Sequence, residues 1–289
     1  MKTHNLLFLV SLILITPALS QDKAQVTKLL KQLQSKDAGE CYRAMSELEY
    51  SLDPRIPDAC LPLLKMKDDM VPLLAARAIG SRWRQIPQAR VPVFVQVLKP
   101  HLQDQNEQLV NMARRGIALL TRDYSGPMVS RSKSKRWVIY GRHELPCLID
   151  TEKNTEELLN PKDDSGIFLP AESNDEVAGY TFWHPEQDMV ALSTQIGRLY
   201  SMAWVWRHEK GLRRFTPEEI AKTLGHKEDD LFPDSGYELS FDGWKGAALD
   251  FRVQFTIQKG NDTAAGEAKL RWDSNTDKIT VLSKKVTKD

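Results

Sequence analysis

The residues whose types and spacing come closest to a chemical site lie in the second half of the chain. Asp273-Ser274-Asn275-Thr276-Asp277 places oxygen ligands at alternate positions, as a calcium loop does. Such a loop then needs Gly for its sharp turn and a bidentate Glu at its end, and Lys278 and Lys284 stand there instead. The segment reads as a hairpin turn. A zinc protease helix needs His-Glu-x-x-His, but His143-Glu144 and His208-Glu209 lack the second His. With no zinc-ligand spacing, these and His184 and His226 read as solvent-exposed. No Gly-x-Ser-x-Gly elbow, phosphate loop or dinucleotide fingerprint is present. The expectation is no catalytic residue, no metal and no cofactor.

Trp183, Trp204, Trp206, Trp244 and Trp272 cluster in this half. Core packing accounts for most of them. Trp244, in Asp242-Gly243-Trp244-Lys245-Gly246, falls in a turn and is the one expected to touch a ligand. Cys41, Cys60 and Cys147 are an odd number in apolar surroundings, which fits buried thiols at least as well as a bridge. Cys41 and Cys60 are expected to be neighbours.

The elements that must position these residues begin after an export leader. Lys2 and His4 precede the apolar run Leu6 to Ile15, Pro17 breaks it, and Ala18 and Ser20 put small residues before a cut at Gln21. That run is half the ~20 residues of a spanning helix. A periplasmic or secreted protein follows, with no membrane span in the mature chain. The whole chain carries 40 Lys plus Arg against 39 Asp plus Glu. The halves differ: Gln21 to Arg136 has 20 against 12, a net of +8, and Trp137 to Asp289 has 19 against 27, a net of −8. The basic half therefore suits an acidic partner protein or this chain's own acidic half. Nucleic acid is not expected in the exported compartment.

The basic half repeats. Leu33, Leu64 and Leu102 are each followed 11 residues later by Ala44, Ala75 and Ala113, and four beyond those stand Leu48, Ile79 and Ile117. Leu30 and Leu61 also correspond, as do Asp37 and Asp68. Each unit reads as two helices around a short polar turn. On these residues, and above all on Met70 to Gly80, the stretch 23–124 resembles HEAT-type helical repeats. Leu119 to Gly126 also resembles the tail after such arrays in bacterial exported proteins. The resemblance implies an α solenoid with a protein-binding face and no chemistry. Arg77 and Arg115 lie two residues, or ~200°, past the repeated Ala, so they should face away from the core as a basic ladder widened by Arg43 and Arg114.

The domains are expected at 1–20 (leader), 21–124 (helical repeats), 125–136 (basic linker) and 137–289 (α+β domain). In the last, Trp137 to Tyr140 and Leu145 to Ile149 read as strands and Lys153 to Asn174 as a long loop. Met189, Leu192, Ile196, Leu199, Ala203 and Trp206 recur at spacings of three and four, which predicts a helix over Pro185 to His208. Thr216, Pro217 and Glu219 open a second helix that ends at Gly225. Alternation from Leu249 to Ile257 predicts a half-buried strand in an antiparallel meander with Tyr237 to Phe241, Glu267 to Trp272 and Lys278 to Lys284. The reading is an exported, non-enzymatic scaffold that binds a partner through its basic repeat surface. The alternative is an envelope binding module or hydrolase with its site in the α+β domain. A HEAT-type DNA-repair glycosylase is the third reading, disfavoured by the leader and the small array.

Overall fold

Small residues at the helix crossings and residues buried on both strand faces shape this chain. The computed structural model describes residues 23–49, 51–126, 128–142, 145–159, 181–196, 200–227, 237–259 and 262–288. The expected leader, with its expected cut at Gln21, and His143 lie outside them. The chain divides into two units, Met1–Asp123 and Tyr124–Asp289.

The first unit contains α1 (Lys23–Gln32), α2 (Ala38–Leu48), α3 (Ile56–Cys60), α4 (Val71–Ser81), α5 (Val91–Leu98) and α6 (Glu107–Thr121). Asp37 caps α2 by accepting from the Glu40 amide, and Asn106 caps α6 by accepting from the Leu109 amide. The Asp68 carboxylate takes the Val71 amide at 2.7 Å and so opens α4. Every residue of α4 except Arg77 is buried, and α2, α3 and α6 all pack on it. A Cβ at Gly80 would stand 3.4 Å from the Gly116 Cα, so α4 and α6 cross backbone to backbone there. This corrects the expected α solenoid. The helices collect around an enclosed α4, α3 has only five residues, and no open repeat array is evident.

The second unit is mostly sheet. β1 (Ser130–Arg131), β2 (Trp137–Arg142), β3 (Leu145–Asp150) and β4 (Thr155–Leu158) form an antiparallel sheet in that order. The stretch expected as a basic linker therefore contains an edge strand, and the expected long loop contains another. The larger sheet holds β5 (Thr181–Trp183), β6 (Met189–Ile196), β7 (Tyr200–Arg207), β8 (Gly211–Phe215), β9 (Tyr237–Lys245), β10 (Ala248–Lys259), β11 (Asp262–Asp273) and β12 (Lys278–Lys288). Its order is β12-β11-β10-β9-β7-β6-β5, with β8 also on β7. One helix, α7 (Pro217–Thr223), lies between β8 and β9, capped by the Thr216 hydroxyl on the Glu219 amide.

The helix expected over Pro185 to His208 is instead β6 and β7, paired from Met189↔Arg207 to Ile196↔Tyr200. The reason is burial on both faces. Val190, Leu192, Trp204 and Trp206 pack with Trp137, Ile139 and Leu148 of the smaller sheet. Ala191, Ala203 and Val205 point the other way, into a core with α7, Phe251, Leu270 and Trp272. A strand buried on both sides reads as a continuous apolar run, and such a run also satisfies helical spacing. The expected α+β domain with two helices is thus a β-rich unit with a single seven-residue helix among its described residues.

Gly266 on β11 sits opposite Phe255. A Cβ there would lie 2.3 Å from the Phe255 ring, so glycine lets that ring lie flat across the strand.

Candidate functional site

The four arginines of the expected ladder do not form one surface. Arg43 and Arg114 are exposed on α2 and α6. Arg77 is bound to Glu49, Nη2 to Oε1 at 2.6 Å, and both side chains are mostly covered. Arg115 is only 4% exposed, with Nη2 2.9 Å from the Met112 sulfur. Two residues past an alanine does face away from that alanine's neighbour. In a unit packed around α4, however, facing away from one helix means facing another. The arginine with the largest structural part went unnoticed in the sequence. Arg82, 3% exposed, donates to the carbonyls of Leu48 (2.7 Å), Glu49 (2.7 Å), Ser51 (2.8 Å) and Ala78 (3.2 Å), closing the C-terminal end of α2.

Trp244 belongs to the fold rather than to an open turn. It lies one residue before the end of β9, half-buried, and its Nε1–H donates to the Phe182 carbonyl at 2.7 Å. Its ring meets His184 edge-on at 4.8 Å and Trp272 at 6.3 Å. His184, expected to be exposed, is 2% exposed. Its Nδ1 accepts from the Glu186 and Gln187 amides, both at 3.0 Å, so Nε2 carries the proton and donates to the Gly246 carbonyl at 2.8 Å. It pins the β5–β6 turn to the β9–β10 turn. His208 is exposed and His226 half-exposed.

In the calcium-like segment, Asp273 accepts from the Asn275 and Thr276 amides, and Asp277 accepts from Arg213 Nε (2.8 Å) and Trp272 Nε1 (2.9 Å). Both carboxylates thus hold the β11–β12 turn together. The three cysteines are buried free thiols. Cys60 Sγ lies 3.8 Å from the sulfur of Met45 on α2, the helix that carries Cys41, and Cys41 Sγ lies 3.4 Å from the Ser35 carbonyl; the two are not bridged.

Two features of the second unit remain open to a partner. The first is β12, an 11-residue strand that, among the described residues, pairs on one side only, to β11. At ~3.4 Å per residue it is about 37 Å long. Every residue from Thr280 to Thr287 is exposed, with Val281 at 41%, Leu282 at 43% and Val286 at 42%. Lys278, Lys284, Lys285 and Lys288 lie on it, with no Asp or Glu. On the sheet face away from the core, Asp250 is held by Arg271 (2.6 Å) and Lys245 (3.2 Å). Asp242 is held by Arg252 (2.7 Å) and Lys269 (2.8 Å). The Arg271 guanidinium keeps the Asp250 carboxyl below the usual carboxylate range despite its burial. Four cations share two carboxylates there, and Thr280 and Ser283 of β12 pair directly with Arg271 and Lys269. The acid excess of this half lies elsewhere: residues 237–288 hold nine Lys plus Arg and seven Asp plus Glu.

The second feature is a cavity of about 260 Å³ where the β5–β6, β7–β8 and β11–β12 turns meet, lined in part by Asp188, Arg207, His208, Lys210, Ser274 and Asn275.

Comparison with known proteins adds no identity. No family model matches the sequence and no curated protein matches it. Among solved structures, TolB from Acinetobacter baumannii aligns at 12% identity with a TM-score of 0.25. The alignment covers 54% of this chain and 42% of that one, and so weak a likeness carries no argument. Among the described residues, no helix is long and apolar enough to cross a membrane.

Proposed function

We propose that this is an exported, non-enzymatic binding protein that takes an extended segment of an acidic partner protein as an added strand on β12. The observation that carries the reading is β12 itself: long, without a described strand on its outer edge, exposed from Thr280 to Thr287 and charged by lysine alone, with Lys284 Nζ donating to the Leu224 carbonyl at the end of α7. An open edge offers main-chain donors and acceptors for strand addition, and neighbouring side chains choose the sequence. A second copy is a poor occupant. Antiparallel self-pairing centred on Ser283 would set Lys278 against Lys288 and bring Lys284 and Lys285 toward their own equivalents, and like charges across a pair destabilise it. An acidic strand reverses that sign and continues the ladder in which Arg271 and Lys269 already take carboxylates. The class of function remains the scaffold expected from the sequence, with its surface on the sheet instead of on the helices. The leader supports export, and mature protein should begin at Gln21, which N-terminal sequencing of envelope material checks.

The binding test uses defined peptides. An eight-residue peptide alternating Glu and Val should bind the mature chain, more tightly at low salt. The same peptide with central prolines, or with Lys for Glu, should not. Lys278→Glu with Lys285→Glu should lose the binding in a protein with unchanged circular dichroism. Equal binding of the proline peptide would show that no strand is added, and equal binding of the Lys peptide would remove the acidic partner.

A further inference from the structure

The cavity at the turn end of the large sheet is a separate site, built from residues that the β12 edge does not use. We propose that it binds a single carboxylate, anchored by Arg207. Arg207 ends β7 and lines the cavity. Its guanidinium lies 5.4 Å over the Trp272 ring, which fixes its plane. Its ion pair among the described residues is long, Nη1 to Asp277 Oδ1 at 3.8 Å, and that oxygen already takes Arg213 Nε and Trp272 Nε1. Arg207 Nε is buried and, among the described residues, has no hydrogen-bond partner. A buried N–H left unpaired is uncommon in native proteins and calls for an explanation. A guanidinium at a cavity wall whose ion pair is long matches the two oxygens of a carboxylate, which its outer nitrogens Nη1 and Nη2 can grip at two points.

The other walls narrow the ligand. Lys210 adds a second cation, and Ser274 and Asn275 add neutral polar groups from the β11–β12 turn. The His208 ring is held against Trp137 at 4.6 Å and forms a flat side wall. Asp188 accepts from the Ser134 hydroxyl at 2.8 Å and, with Glu209, places negative charge at the same opening. Two anions facing two cations disfavour a ligand with two negative charges and suit a monocarboxylate or a zwitterion. At about 260 Å³ the cavity has room for a small acid, an amino acid or the last residue of a chain. The shared chemistry is one carboxylate, whether from a free small acid or from a polypeptide C-terminus.

Calorimetry on the mature chain separates these sources. The probes are acetate, glycine, N-acetyl-tri-alanine with a free carboxylate, and the same tripeptide as its amide. Tighter binding of the tripeptide acid than of acetate and glycine assigns the site to a chain end, and the reverse order assigns it to a free acid. Arg207→Lys keeps the charge and removes the fork, so it should weaken the better probe at least about tenfold, as loss of a two-point contact implies. Arg207→Gln should abolish binding, with circular dichroism checking its fold. Measurable and equal binding of the tripeptide acid and amide, unchanged affinity in a folded Arg207→Lys protein, or no heat from any probe would overturn the proposal. None of these outcomes bears on strand addition at β12.

Discussion

Replacing Arg82 by Met keeps a long apolar stem and removes the guanidinium. The loss includes the hydrogen bonds to the carbonyls of Leu48, Glu49, Ser51 and Ala78. At ~1.5–3 kcal/mol for each bond to a charged donor, simple addition exceeds 6 kcal/mol. That total overshoots, because the carbonyls do not all end up bare. The Leu48 carbonyl keeps the Ser51 amide at 3.0 Å, and Glu49 and Ser51 are only half-buried, so water can reach them. Removing the charge also relieves the cost of having buried it. About 3 kcal/mol of destabilisation remains. In a unit of this size that lowers the melting temperature by roughly 12–24 °C, at ~4–8 °C per kcal/mol. Helical ellipticity at 222 nm reports the first unit in the full chain, since the helices are concentrated there. Arg82→Lys should recover only part of the loss, since one ammonium cannot reach three separate carbonyls on α2 and its following turn. A loss below about 1 kcal/mol in Arg82→Met, the value of one ordinary hydrogen bond, would refute the reasoning.

Two more predictions concern titration. The Arg136 guanidinium, helped by the Lys153 and Glu152 amides, holds the Asp150 carboxyl at about 2, below its ordinary value. A lowered native pKa means stability that is fully present above the ordinary carboxylate range near ~4 and is lost as pH falls through about 2. Urea midpoints measured from pH 5 downward should therefore fall less steeply in Asp150→Asn than in the parent, and parallel curves would contradict the pair. Burial pushes the Cys60 thiol up to about 12, and Cys41 is raised too, mainly by burial. Ellman's reagent should then find no fast thiol in the native mature protein and all three after denaturation; fast labelling of any cysteine without unfolding would contradict the packing.

What the sequence made legible was local. Thr216, Pro217 and Glu219 announce α7 because a cap acts within one turn of its own helix. The alternation from Leu249 to Ile257 announces β10 because one side of that strand is wet and the other packs on Trp272 and Phe215. The β6–β7 hairpin was illegible for the opposite reason. Its two faces meet two different cores, and no wet face remained to mark a period of two. Arg82 and Arg115 look in the sequence like any surface arginine, since only the packing around α4 buries them. Arg77 was placed by counting angles from Ala75, but the angle says nothing of Glu49 waiting on the far side. Gly266 would have hinted at a close approach, although the ring that requires it, Phe255, lies on another strand. The open edge of β12 was equally hidden. A last strand with four lysines reads like any hairpin partner until the sheet order leaves no described strand beyond it.

Hydrogen exchange on the β12 backbone, with and without the alternating Glu–Val peptide, tests the central claim most directly. In the free protein, the β12 amides bonded to β11 should be protected, and those facing the open edge should exchange rapidly. Saturation with peptide should slow the edge-facing set across Thr280 to Thr287 and leave the set bonded to β11 nearly unchanged. Bound peptide with unaltered β12 exchange, or with new protection confined to other strands or to the helices, would contradict strand addition.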